Sequence, residues 1–418
     1  MPKKNGRWWL VVLMFLTSSL GYMDRSAIGI TAPLIAKDLN LNASQMGLVF
    51  SAFFLGYAVF ALVGGRLADL WGAKRVIVLS LGVWSLFCGL TGLAGGLLFL
   101  LAVRMLFGVG EGPFPPAQNK LVGHWFLRKE QATVIGLFGS GEAIGGALTG
   151  PIVGMIAVSF SWRVSFGVIA LIGAVLMIVW MVAVTDWPEN HGRLSAEEKA
   201  LIAAGRDSES AAPASSGSLL STFLSQEVLA TAFAWFGYAY VLFFFLSWFP
   251  SFLISRYHLS MASTGLISSL PWLCGFVGRF CGGILSDALF RRLRNALLAR
   301  KLVIGGGLLA AAVCIALAGS VTDVVSAVLL TSVTTFAVAL TATGYWALIL
   351  DIVPQDKVGG AGGFGLCIGS LAGVVAPALT GFLLQRTGSY VSAFVMTGIV
   401  AAAGAAAILL LVRHRRAR

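Results

Sequence analysis

An all-α membrane protein with twelve transmembrane helices in two pseudo-symmetric six-helix bundles is the fold class that three features of this sequence predict. The chain is 58% hydrophobic and only 11% charged, with a mean hydropathy of +0.90. That is too few charges to cover the surface of a soluble domain of 418 residues. Apolar runs of about 20 residues, the length of helix that crosses a hydrocarbon core, recur from end to end. One long hydrophilic stretch, about 186–226, divides them six and six.

The spans are expected at about 8–36, 45–68, 75–96, 98–122, 131–158, 164–185, 227–254, 263–288, 301–320, 324–351, 360–385 and 390–412. The first opens like a secretory signal, with Lys3, Lys4 and Arg7 ahead of an apolar run. The apolar pattern resumes after Arg25 and continues to Ile35, longer than a signal core, so a retained first helix is expected. An even number of spans puts both termini on one side. Lys3, Lys4, Arg7, Arg66, Lys74, Arg75, Arg128, Lys129, Arg291, Arg292, Arg294, Arg300, Lys301, Arg413, Arg415, Arg416 and Arg418 share that side. The opposite loops offer mainly Lys37, Arg163, Arg256 and Arg386. The positive-inside bias makes both termini cytoplasmic, in a cell inner (plasma) membrane. The same placement explains the formal net charge of +12 without nucleic acid, because the cations lie between apolar runs and at the ends.

Residues 1–185 should form an N-terminal six-helix bundle, 186–226 a cytoplasmic linker and 227–418 a C-terminal bundle. In the linker, "LSAEEKALIAAG" carries Ser195 and Glu198 at capping-box spacing ahead of a short amphipathic helix. "SESAAPASSGS" has the composition of a flexible tether. Asp186, Glu189 and His191 resemble a metal cluster only superficially and are expected in a solvated loop. The five cysteines (Cys88, Cys274, Cys281, Cys314, Cys367) lie in apolar runs and read as small buried hydrophobes. The halves echo each other: "GGRLADLWGAKR" (64–75) after span two and "GGILSDALFRR" (282–292) after span eight both place Gly-Gly at a helix end, then an acid, then cations. Duplicated six-helix halves are the plan of many secondary transporters, whose substrate site lies at mid-membrane between them.

Ionisable groups at bilayer depth are costly, so each is a functional candidate. "GYMDRSAIG" places Asp24 and Arg25 midway through span one. Neighbours on a helix point about 100° apart, so the two need not pair with each other. Arg25 is a planar donor fork suited to a carboxylate ligand, and Asp24 is free to titrate. A structural ion pair fixing helix packing is the alternative. Arg104 and Glu111 stand seven apart in span four, on one helix face. For Arg104 the alternative is a shallow residue snorkelling to the surface. Asp287 beside Arg291, and Asp351 near Pro354 and Lys357, are expected to make gating contacts at span ends. No P-loop, nucleotide fold or catalytic triad stands out, so no enzyme is expected.

At this point the chain resembles the major facilitator superfamily. "GGRLADLWGAKR" is similar to that family's loop motif, here Gly65, Asp69, Gly72, Lys74 and Arg75, which the resemblance makes a conformational latch rather than a substrate contact. Further stretches resemble the anion:cation symporter branch, importers of organic anions such as sugar acids with protons. These are "GYMDRSAIGITAP", "VRMLFGVGEGPFPPAQNKLVGHWF", "FFFLSWFPSFL", "GYWALILDIVP" and "DWPENHGRLSAEEKALI". The resemblance implies that Arg25 is the anion ligand, that Asp24 and Glu111 carry protons, and that Arg104 supports the coupling. It implies substrate contacts for Tyr22, Tyr57 and Trp346, while Trp248 and Pro250 belong to a signature whose proline shapes the helix. Glu142 stands where sugar-acid relatives often have Gln, and is either a third titratable group or the partner of a nearby base. Many sugar-acid relatives carry Asn at the positions of Leu366 and Ser370; losing those amides argues for a less hydroxylated acid, aromatic or short-chain.

The function expected from these features is proton-coupled uptake of a small organic carboxylate (a sugar acid, aromatic acid or hydroxy acid) by alternating access. The chain would work as a monomer in the bilayer, with no cofactor or metal and the proton as coupling ion. The alternative is a proton-coupled drug or metabolite exporter: Gly146, Gly150, Pro151 and Gly154 in "GGALTGPIVG" resemble an antiporter motif, although such small residues also simply let helices pack closely. A non-transporting sensor or scaffold would have little use for four mid-span charges and would want a larger cytoplasmic domain than this linker.

Overall fold

The computed structural model describes residues 6–192, 194–207, 219–354 and 357–412. The cations at Lys3, Lys4, Arg413, Arg415, Arg416 and Arg418 and the tether at 208–218 lie outside them. The helices are α1 (Trp9–Asp38), α2 (Ala43–Trp71), α3 (Ala73–Thr91), α4 (Leu97–Glu111), α5 (Phe114–Trp125), α6 (Arg128–Ser159) and α7 (Trp162–Ala183). The short α8 (Ala196–Asp207) and α9 (Leu219–Phe223) follow. The second half holds α10 (Gln226–Tyr257), α11 (Met261–Leu293), α12 (Ala296–Ala318), α13 (Val324–Thr341), α14 (Gly344–Ile352), α15 (Val358–Thr387) and α16 (Val391–Ala406). Among the described residues, eleven helical spans are long and apolar enough to cross a membrane. The twelfth expected span, α1, is 30 residues long but is not among them, because Asp24 and Arg25 near its midpoint lower its hydropathy.

Spans four and ten, expected as single helices, are each broken, into α4 and α5 and into α13 and α14. In span four the break falls at Gly112 and Pro113, where Pro113, Pro115 and Pro116 supply no N–H to continue the ladder. Corresponding breaks in the two halves are what a duplicated fold requires. The Gly-Gly pairs expected at helix ends instead lie inside α2 and α11, which run on to Trp71 and Leu293. They permit close approach: a Cβ on Gly64 would stand 2.6 Å from Pro113 Cα, and one on Gly282 would stand 2.2 Å from Leu340 O.

Of the predicted capping box, half forms. The Glu198 N–H donates to Ser195 Oγ, but the Glu198 carboxylate turns away to the start of the chain. It accepts from the Gly6 and Arg7 N–H groups and from Arg7 Nη1 at 2.7 Å. Arg7 also meets Glu130 at 2.8 Å, so a buried arginine ties the linker helix to α6 and to the first half. The loop after α7 is less solvated than its composition suggests. His191 is buried and stacks on Trp9. Asp186 caps α3 by accepting from the Lys74 N–H at 2.8 Å. The turn before α3 uses Gly72 at φ +89°, where a side chain would strain the backbone and strike the Asp186 carboxylate. Among the described residues no group of acids, histidines and cysteines is placed to hold a metal. The five cysteines are free, but only Cys88 is buried; the other four lie on helix faces that protein covers only in part.

The halves meet through α2 with α15, α6 with α11 and α1 with α10. Their close backbone approaches fall toward one end of the bundle, the end carrying the α1–α2 loop, while Arg279 of α11 bonds across to α6 near mid-span. Gly47 lies against Pro377 and Gly381, Ser51 Oγ donates to Val374 O at 2.6 Å, and Gly29 lies against Leu246 O. Phe54 meets Phe243 at a tilt with centroids 4.2 Å apart and Phe50 meets Trp248 edge to face at 5.3 Å, which closes this end with aromatic side chains. Toward the other end the residues of α2 beyond Phe54 and of α11 beyond Arg279 are mostly exposed or half-buried, and we read this end as a cleft between the halves.

The small residues of α6 take part in this seal. A Cβ on Gly150 would stand 2.0 Å from Gly265 O of α11, and Gly146 packs under the Trp272 ring. Gly150→Val should therefore wedge the halves apart at the sealed end. A cysteine placed at Ser51, which is 5% exposed, should then react with a thiol reagent about tenfold faster than in the parent. Unchanged labelling would show that this contact does not hold the end shut.

Candidate functional site

Between the halves, at the blind end of the cleft, α1 and α4 bring together the charges that the sequence singles out. Arg25 is 7% exposed and donates from Nε to Glu111 Oε1 at 2.8 Å, with Nη2 at 2.5 Å from the same oxygen. The two residues are far apart in sequence. Their meeting depends on Gly21, where a Cβ would crowd Glu111 Oε1 at 3.2 Å, and on the break after Glu111 at the end of α4. The guanidinium is enclosed by rings, 4.4 Å from the centroid of Tyr57, 5.1 Å from Tyr22 and 5.4 Å from Phe53.

Asp24 points elsewhere, as the helix geometry predicts. It is 1% exposed and meets Cys88 Sγ at 3.9 Å. Arg104 is 2% exposed, which rules out the snorkelling alternative. It sits over Phe53 and Phe107 at 5.0 and 4.9 Å, within electrostatic reach of Asp24, Glu111 and Cys88. Glu111 is thus bonded to Arg25 rather than to Arg104, its neighbour on the same helix face. Arg104 Nε and Nη1 and Glu111 Oε2 are buried without a hydrogen-bond partner. Buried donors and acceptors are costly when unsatisfied, so these atoms form a reserve of bonding capacity beside Arg25.

Beside this cluster lies a cavity of about 50 Å³ lined from both halves, by Tyr22 and Glu142 on one side and Tyr238, Trp272, Arg279 and Thr335 on the other. Glu142 is the partner of a base: Arg279 Nη1 donates to Glu142 Oε2 at 3.2 Å and to Gly139 O at 3.3 Å. Arg279 is the residue that the sequence reading misses. It is an arginine inside an apolar span, and the depth argument that picks out Arg25 applies to it equally.

The other expected residues lie apart from the cavity. Trp346 is 40% exposed and packs on Gly362 and, edge to face, on Trp235. Ser370 Oγ donates to Leu366 O within α15. Since neither Leu366 nor Ser370 lines the cavity, their departure from the amide pattern no longer argues against a hydroxylated ligand. Trp248 is buried and donates to Pro377 O at 3.1 Å. Of the gating candidates, Asp69 binds Lys120 Nζ at 2.6 Å, and Lys74 contributes its N–H to the Asp186 cap. Asp351 pairs with Arg300. Arg75, Asp287 and Arg291 are exposed at the open end. None of these bonds crosses between the halves.

Comparison with known proteins fits this architecture. The Major Facilitator Superfamily family model matches residues 14–374. The chain is 42% identical over 407 residues to a hexuronate transporter of Bacillus subtilis (strain 168), covering 97% of this chain and 94% of that one. It is 33% identical over 434 residues to a probable galactarate/D-glucarate transporter of the same organism, covering 98% and 92%. Among solved structures, a bacterial homolog of the human lysosomal transporter Spinster, in an inward-facing and occupied conformation, superposes with a TM-score of 0.74 at 18% identity. That match covers 97% of this chain and 94% of the other, and concerns the fold. With the family model spanning most of the chain and relatives aligned over nearly all of it, this multi-pass membrane protein belongs to the major facilitator superfamily, as a transporter and not an enzyme.

Proposed function

We propose that the protein is a proton-coupled symporter that takes up a small hydroxylated organic acid of the sugar-acid class. The observation that carries the reading is the buried Arg25–Glu111 pair. A carboxylate of the protein already occupies the fork that a substrate carboxylate would use. Two carboxylates cannot share one guanidinium equally, so protonation of Glu111 frees Arg25 for the anion, and loss of that proton returns Glu111 to displace it. This is coupling by linkage, with the proton and the anion favouring each other.

Charge balance at the site supports the same view. Arg25, Arg104 and Arg279 face Asp24, Glu111 and Glu142 in equal number, and an entering anion is compensated by one added proton. Asp24, beside Cys88 and within reach of Arg104, is the second proton carrier. The unused donors of Arg104 supply a new partner for whichever acid loses its proton. Tyr22, Tyr57, Tyr238 and Thr335 provide hydroxyls for a polyhydroxylated ligand, and the hexuronate and galactarate/glucarate relatives support that substrate class. With both termini cytoplasmic in the inner membrane, the sealed end faces out and the cleft faces the cytoplasm, a state that follows anion release. In that state the reading expects a Glu111–Arg25 pair, and the bond between them supports it.

The test is uptake by the reconstituted protein. An inward proton gradient should drive accumulation of a hexuronate above its equilibrium level, and a protonophore should abolish the excess while leaving exchange intact. Accumulation that ignores the gradient would overturn symport and favour a uniporter or exchanger.

A further inference from the structure

We propose that Glu142 is a charge filter: by neutralising Arg279 on the far wall of the cavity, it restricts the carrier to acids with one anionic end and an uncharged, hydroxyl-rich tail. The inference rests on the organic-anion reading above and adds how the site tells one acid class from another.

If Arg25 holds the carboxylate, the remainder of the ligand extends toward the wall formed by the other half, where Arg279 stands. An uncompensated guanidinium there would attract a second carboxylate. Glu142, however, reaches Arg279 from the opposite half at 3.2 Å. This pair is also the accessible one, with side-chain exposures of 35% for Arg279 and 31% for Glu142, against 8% and 4% for Arg25 and Glu111. A solute in the cleft therefore meets Glu142 and Arg279 together. A second carboxylate approaching Arg279 comes within contact range of the Glu142 carboxylate, and like charges at that distance repel. A hydroxyl has no such conflict, since it can donate to Glu142 and accept from Arg279. Arg279 reaches Gly139 and Glu142 through Nη1, which leaves Nε and Nη2 for the adjacent Tyr238 phenol and a ligand. Tyr22, Tyr238, Trp272 and Thr335 complete a wall of rings and hydroxyls that suits a neutral polyol tail. Discrimination would thus come from what the site repels as much as from what it binds.

The probes are a hexuronate and the hexarate of the same carbon skeleton, which differ only in oxidation at the far carbon. Each is tested for competition with hexuronate uptake into proteoliposomes and for its thermal shift on the purified protein. In the parent the hexarate should compete at about tenfold higher concentration than the hexuronate or weaker. In Glu142→Gln the ratio should move toward the hexarate by about tenfold or more, and adding Arg279→Gln should remove that gain. Arg279→Gln alone, which leaves Glu142 without its base, should disfavour the hexarate further and serves if Glu142→Gln fails to fold. Equal competition in the parent, an unchanged ratio in Glu142→Gln, or a gain that persists in the double variant would each overturn the filter. If neither acid binds the folded parent, the organic-anion reading itself falls, and the filter with it.

Discussion

Arg25→Ala should abolish binding of organic acids. Arg25 is buried among the rings of Tyr22, Phe53 and Tyr57 beside the cavity, and its fork is the one that Glu111 occupies. A charge-assisted, bidentate-capable bond in a site shielded from water contributes about 3 kcal/mol, or roughly a hundredfold in affinity. The variant has a second effect that must be separated from the first. It leaves Glu111 buried at 3% exposure with no cation bonded to it, and breaking a buried pair costs about 3–5 kcal/mol of stability. Arg25→Ala combined with Glu111→Gln removes that burden, and should recover thermal stability without recovering binding. Arg25→Lys keeps the charge but not the fork, and should bind weakly. Isothermal titration with a hexuronate across the three variants is the measurement. Binding by Arg25→Ala within about threefold of the parent would mean that the anion sits elsewhere, with Arg279 the first alternative.

What was legible in the sequence follows the physics of the bilayer. Span lengths and the division by the linker are readable because hydrocarbon thickness sets helix length. Asp24, Arg25, Arg104 and Glu111 are readable because a charge within an apolar run needs a reason. Pairing was not readable. Heptad spacing put Glu111 and Arg104 on one face, but the folded protein bonds Glu111 to Arg25 on another helix, and only the arrangement of α1 and α4 around the shared site decides that. Glu142 left two readings open because its partner lies in the other half of the chain. Arg279 was discoverable by the same depth argument, but it stands close before the cations Arg291 and Arg292 and merges with that basic cluster. The Gly-Gly pairs misled in the opposite direction. Glycine is a helix-end signal in water, whereas within a membrane it more often marks where two backbones touch, as Gly64 and Gly282 do.

Glu111→Gln should separate proton coupling from transport. The amide has nearly the shape of the protonated acid, cannot ionise, and cannot hold Arg25 as a carboxylate does. Arg25 is then free for the anion at every pH. In the parent, a proton on Glu111 releases Arg25, so lowering the pH should tighten anion binding until the ligand's own carboxyl begins to protonate, near about pH 4. In Glu111→Gln that dependence should flatten, because the competing carboxylate is gone. Net uphill uptake should fall to the passive level, since proton release no longer expels the anion at the open end. Exchange of labelled for unlabelled substrate should persist, because it needs only that the loaded carrier reorient. Asp24→Asn is the informative comparison. Asp24 does not bond to Arg25 in this state, so its loss should remove proton-driven accumulation while leaving most of the pH dependence of binding in place. Counterflow, gradient-driven uptake and binding affinity, each measured at several pH values on both variants, give the full pattern. If Glu111→Gln still accumulates substrate against its gradient, the proton enters by another residue and the Arg25–Glu111 pair is structural.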